Sequence, residues 1–178
     1  MQKLINKFED KILSITDEEL ATGTCLPECL QMGKENNLSV YYSPFDWVNT
    51  KAKVVIMGIT PGKTQAVNAL KAFKLARLSG QSIDEAHRIA KQTGAFSGSL
   101  RNNLINLLDF IKLNEWLGID SCTSLFGSQS HHNELIHSLS SLPFPVFKKM
   151  VKTITVHHQS GVVHYYRNNF NTVRIFYG

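Results

Sequence analysis

The stretch Val54-Val55-Ile56-Met57-Gly58-Ile59-Thr60-Pro61-Gly62-Lys63-Thr64 decides how this chain folds. Its first four residues are continuously apolar and mostly β-branched, the composition of a strand buried on both faces, as in a parallel sheet. The next seven form a tight Gly/Pro loop. A helix is predicted from about Gln65 to Leu78, closed by Gly80. In an open α/β sheet such a loop lies beyond the carboxyl end of its strand, where ligands bind. Gly58 and Gly62 lack Cβ, so a ligand can approach the backbone closely. The N–H groups from Lys63 to Ala66 would face an anion placed there. A plain strand-to-helix turn is the bland alternative.

On either side the periodicities are mainly helical. Leu4, Ile5, Phe8, Ile12 and Leu13 predict a first helix, and residues 17–20 a short second turn. Residues 21–36 read as irregular, with Gly23, Pro27 and Gly33, and 39–47 as extended or turn, with Pro44 inside. Ser82 and Glu85 form a capping box for a helix that ends near Gly94. Leu100, Leu104, Leu107, Leu108 and Ile111 predict a third helix from about Ser99 to Leu117, stopped by Gly118. Residues 121–127 and 145–147 are candidate strand pieces. This order predicts a three-layer α/β/α fold with a central, mostly parallel sheet of about four strands. Residues 1–148 read as one domain, of which 1–50 form a helical and irregular lead-in.

Composition bounds the class. The chain has 178 residues, 43% hydrophobic and 19% charged, which excludes a disordered chain or a coiled coil. No apolar run is long enough to span a bilayer. The start, MQKLINKFEDKIL, is amphipathic and carries acids, unlike a secretory signal. Three cysteines are too few for a disulfide scaffold. A cytoplasmic protein without membrane, metal or cofactor is expected. The net charge of +5 is uneven: residues 1–50 carry 4 Lys and 8 Asp+Glu, the rest 15 Lys+Arg and 6 Asp+Glu. A basic body suits a polyanion such as DNA, RNA or a nucleotide. Lys71, Lys74 and Arg77 make a basic stripe that reads first as a solvated helix face and second as a DNA contact.

Two sharp readings compete for the loop. One is a phosphate-binding Gly-x-x-x-x-Gly-Lys-Thr loop, whose tail is Gly62-Lys63-Thr64. Its first glycine would fall on Met57, and Pro61 removes one N–H from the cradle. The other is a resemblance. VVIMGITPGKTQ resembles the first motif of the uracil-DNA glycosylase superfamily, a buried strand followed by Gly-x-x-Pro-Gly. In the mismatch-specific branch that loop reads Gly-Ile-Asn-Pro-Gly. YYSPFDWVNTKAKVVIMGITPGKTQA resembles an uncharacterised bacterial group of the same superfamily. Phe96-Ser97-Gly98-Ser99-Leu100-Arg101 resembles its Phe-x-Gly segment. The likeness covers about residues 38 to 148.

The resemblance implies base excision from DNA by hydrolysis of an N-glycosidic bond. Thr60 falls where the family positions its water with Asp or Asn; a Thr can bond water but is no carboxylate base. Gly58, Ile59, Pro61 and Gly62 would shape the base pocket. Phe96 would stack on an extruded base, or be an ordinary core Phe. Lys63, Thr64 and Arg101 would meet DNA phosphate, or Arg101 be a surface charge. The alternatives are a non-catalytic module binding base or nucleic acid, and a degenerate P-loop nucleotide-binding protein. Cys25 and Cys29 resemble the cysteine pair of iron–sulfur members, but only Cys122 remains for the other ligands. His131-His132 and His157-His158 lack an acidic partner for a metal.

Residues 149–178 depart from the family ending. Phe147-Lys148-Lys149-Met150 can be encoded with an uninterrupted run of A bases. One inserted A lets the downstream frame read VFKKNGKNYNGTPPKWRSTLL. That string resembles the Asn-Gly-Lys-Asn-Tyr stretch of the same group. The implication is a frameshifted, truncated relative with little or no glycosylase activity, the other reading being a genuine divergent tail.

Overall fold

The structure, a computed structural model, describes residues 4–148 and two strand segments, 165–168 and 171–174. The chain divides into two units, Met1–Lys148 and Lys149–Gly178. In the second, the described backbone is one antiparallel pair, Tyr165–Asn168 with Asn171–Arg174. The rest of the tail reading, including His157 and His158, lies outside the described residues.

The first unit is mixed α/β. It opens with α1 (Leu4–Ser14), which buries Ile5, Phe8 and Ile12, and α2 (Asp17–Ala21). Thr16 and Glu19 close a reciprocal capping box on α2. Where the sequence read as irregular, the chain forms β1 (Gln31–Glu35), which pairs antiparallel with β2 (Leu38–Tyr41). The turn between them places Asn36 at φ +51°, a conformation Asn tolerates better than most residues. β3 (Val54–Gly58) follows, then α3 (Lys63–Leu78) and α4 (Ile83–Gly94). The single helix expected over 99–117 is two, α5 (Ser99–Phe110) and α6 (Leu113–Leu117). Lys112 breaks it at φ +63°, which periodicity cannot reveal. Within 121–127 the chain forms a 3-10 turn, Cys122–Leu125, rather than a strand. The strand lies later, as β4 (Ile136–Ser140), and β5 (Val146–Lys148) adds antiparallel to β2.

Among the described residues there are thus two sheets in this unit, β1-β2-β5 antiparallel and β3-β4 parallel. Their registers include Val54 opposite Ile136 and Gly58 opposite Ser140. Two cores result. In the first, Phe73, Leu70 and the small residues Ala66, Ala69 and Ala76 of α3 pack with α1, α4 and the segment 41–45. The approach of α3 to α4 is close enough that a Cβ on Gly94 would lie 2.7 Å from that of Ala69 and 2.8 Å from the Gln65 carbonyl. In the second core, Ile136 and Ile56 join Leu104, Ile105, Leu108, Leu125 and Phe126. β3 is therefore covered on one face: Val55 is 58% exposed and Met57 64%, which corrects the expectation of burial on both faces.

Part of the basic body is engaged with the acidic lead-in. Lys63 Nζ donates to the carbonyls of Ala21, Thr22 and Gly23 at the end of α2. Lys74 Nζ donates to Ile15 O just past α1. Arg77 pairs with Glu9 and Lys71 with Asp17. The basic stripe of α3 thus clasps the acidic lead-in, a role that neither sequence reading gave it.

Candidate functional site

The loop Gly58–Thr64 leaves the carboxyl end of β3, beside the carboxyl end of β4. The two exits are zipped together. Ser141 N donates to Gly58 O at 3.0 Å and Leu142 N to Ile59 O at 2.8 Å. Thr60 Oγ1 donates to Phe144 O at 3.1 Å, so this hydroxyl fixes the loop and keeps only lone pairs for a water. Pro61 is buried; Gly62 caps α3 without a side-chain bond.

Phe96 stands over Gly58. A Cβ on Gly58 would meet its ring at 3.6 Å, the Leu139 carbonyl at 3.9 Å and Ser140 Oγ at 3.9 Å. The Phe96 backbone is held at φ +53° and its ring meets Phe126 edge-on at 6.3 Å. Such strain is maintained only when the surroundings over-determine it. The next glycine, Gly98, has φ +91°, and a Cβ there would touch Thr64 Cγ2 at 3.5 Å. Asn68 Nδ2 donates to Ser97 Oγ at 3.0 Å and ties this bend to α3. Gly58, Phe96, Gly98, Thr64 and Ser140 therefore converge at one end of the parallel pair. Ser140 went unread in the sequence because β4 was not recognised, and Ile136-His137-Ser138-Leu139-Ser140 has no regular alternation to reveal it. A Cβ at Gly62 would meet nothing within 4 Å, so the protein's own packing does not require glycine there.

The other residues considered for the site are engaged elsewhere. The Arg101 guanidinium donates to the Thr93 and Ala95 carbonyls, both at 2.7 Å, at the end of α4. Its Nε is buried without a hydrogen-bond partner, and burial lowers its pKa. Lys63 is held by the α2 carbonyls described above. Ile59 is 78% exposed.

A second polar cluster lies between α4 and the segment before β3. His87 Nε2 and Tyr42 Oη both bond Asp46 Oδ1, at 2.9 and 3.0 Å. Burial acts to raise the Asp46 pKa, but the bond and charge of His87 outweigh it and the net direction is down. Lys91 is 6% exposed, with Nζ on Phe45 O. Burial lowers its pKa to about 8 against the pull of Asp46. Burial and the Lys91 charge lower His137. The cavity here, between Trp47, Lys91, Phe126 and His137, holds about 20 Å³. That is room for about one water. A larger open groove of about 540 Å³ runs between α3 and α4 from Asn68 to Ser79.

Among the described residues no three His, Cys, Asp or Glu side chains are grouped to hold a metal. Cys25, Cys29 and Cys122 are free thiols. No described helix is long and apolar enough to cross a membrane.

Comparison with known proteins gives one informative similarity. The uncharacterised protein YoxB of Bacillus subtilis (strain 168) is 33% identical over 144 residues, covering 80% of this chain and 55% of that protein. The chain thus spans about half the length of the curated relative it matches. No family model matches the chain. No solved structure matches it either.

Proposed function

We propose that the carboxyl-end cleft of β3 and β4 binds a nucleobase extruded from DNA, and that the chain has little or no hydrolytic power over it. The observation that carries this reading is the placement of Phe96 over Gly58. It sets an aromatic ring, itself packed against the second core, beside a backbone position that has no side chain, at the end of a strand where α/β sheets take ligands. Gly62 supports it, because an open position without a Cβ leaves approach to the α3 N–H groups clear. Ser140 Oγ supplies a hydrogen-bonding group for a base edge. The resemblance of this loop to the uracil-DNA glycosylase motif supports the same reading. In that reading β3 and β4 belong to a three-layer α/β/α sheet of about four strands.

Hydrolysis needs a base or strong orienter for water and a donor for the charge that leaves with the base. Thr60 donates its proton to Phe144 O and has no carboxylate nearby in the loop. The nucleotide-binding alternative is weaker, because Lys63 reaches back to α2 instead of forward over the loop.

The test is binding of single-stranded DNA oligonucleotides with and without uracil, at several salt concentrations, with an abasic-site assay on each. Binding that falls steeply with salt, weakens at least tenfold in Phe96→Ala, and proceeds without abasic-site formation is expected. Micromolar ATP–Mg²⁺ binding abolished by Lys63→Ala would establish the nucleotide reading instead.

A further inference from the structure

The pair β3–β4 has an outer face that nothing among the described residues covers. Alternation along the strand sends Val54 and Ile56 inward and Val55 and Met57 outward, and the register sets Leu139 beside Met57. Val55, Met57 and Leu139 are 58%, 64% and 38% exposed. β3 also has β4 as its single hydrogen-bonded neighbour among the described residues, which leaves one edge open. A parallel strand is normally covered on both faces. A strand that evolves as a free edge is guarded by lysine, proline or a bulge. Val54–Gly58 contains no charged residue and no proline, and its ladder with β4 is regular. The strand therefore has the chemistry of a sheet interior on a surface that no described residue covers.

We propose that this face and edge seat a polypeptide segment equivalent to the part of the Bacillus subtilis relative outside the matched stretch. A β-strand of that segment would pair along the free edge of β3, and apolar side chains would cover Val55, Met57 and Leu139. The relative is the ground for choosing this occupant. It carries a stretch similar to 80% of this chain together with nearly as much polypeptide again, since the match spans 55% of it. A second copy of this chain fits less well. Three apolar side chains fall far short of the roughly 20–30 residues per side of a stable dimer interface. A segment that adds a strand gains main-chain hydrogen bonds as well as apolar contact. The proposal does not use the nucleobase reading, and its test reads no DNA binding or excision.

The test is to co-express the full 178-residue chain with the unmatched part of the relative, tagged, and to purify through the tag. The two are expected to elute as a one-to-one complex in which the amides of residues 54–58 exchange at least tenfold more slowly than in the chain alone. Met57→Glu is expected to weaken the association at least tenfold while leaving the circular dichroism and melting temperature of the chain alone unchanged. Leu78→Glu, equally exposed at the end of α3, is expected to leave the association intact. Failure to co-purify, unprotected 54–58 amides within a complex, or indifference to Met57→Glu would each overturn the proposal. A chain that is dimeric alone and becomes monomeric in Met57→Glu would show that the occupant is a second copy.

Discussion

Gly94 and Gly62 are the same residue type with opposite reasons for being there. At Gly94 a methyl group would lie against the Gln65 carbonyl and the Ala69 Cβ. Neither is a flexible chain end, so Gly94→Ala must part α3 from α4. Overpacking of this kind costs about 1–3 kcal/mol, against a helix-propensity gain of about 1 kcal/mol. Net destabilisation is expected, read as a lower denaturant midpoint. Gly62→Ala enters open space but puts a poor capping residue at the N-cap of α3, so a loss of about 1 kcal/mol or less is expected, with no overpacking, while oligonucleotide binding at the proposed site weakens. Lys91 makes a different prediction. Its folded pKa of about 8 lies below the roughly 10.4 of an unfolded chain. Between those values the unfolded chain binds the proton that the folded one has released, so stability rises with pH. The contribution is complete above the unfolded value and is lost as pH falls through about 8. The unfolding free energy of wild type minus that of Lys91→Met should therefore climb from pH 8 to about 10.4, by at most roughly 1.4 kcal/mol per unit. A flat difference in denaturation at a series of pH values would refute it.

Among the elements, α3 organises the unit. One side packs on α4 and the other carries the cations that hold the lead-in. Removing the ammonium in Lys63→Met leaves three carbonyls at the end of α2 without that donor. Amides of residues 17–23 are expected to exchange about tenfold faster, with little change in 66–76. The helices were legible because burial of one face imposes a period that composition cannot hide, as in Ile5, Phe8 and Ile12. β4 was not, because Ile136-His137-Ser138-Leu139-Ser140 interleaves polar residues and has no Gly or Pro at its borders. The β1–β2 hairpin had a signal in Asn36, whose tolerance of positive φ suits a tight turn. At the site, the nearness of Gly58 and Phe96 was implied by the resemblance of the two segments to one family and by nothing in their periodicity. The engagements of Lys63 and Arg101 did not, since both depend on backbone carbonyls delivered by other elements.

For the molecule as a whole, the exposed apolar residues matter most. Phe110 and Trp116 are 84% and 69% exposed, in addition to Val55 and Met57. Surfaces of this kind bind apolar dyes and associate. The chain alone is expected to enhance the fluorescence of an anilinonaphthalene dye, and Met57→Glu to reduce that enhancement. The topology has a consequence in time. α3 and α4 are joined by a short connection, whereas the strands of the parallel pair stand roughly eighty residues apart, so loop closure makes their pairing slow. On refolding, amides of 66–76 should gain protection first and those of 54–58 last. The helix pair is then the nucleus and the parallel strand pair its latest product, so Gly94→Ala is expected to slow refolding, while Ile136→Val chiefly speeds unfolding.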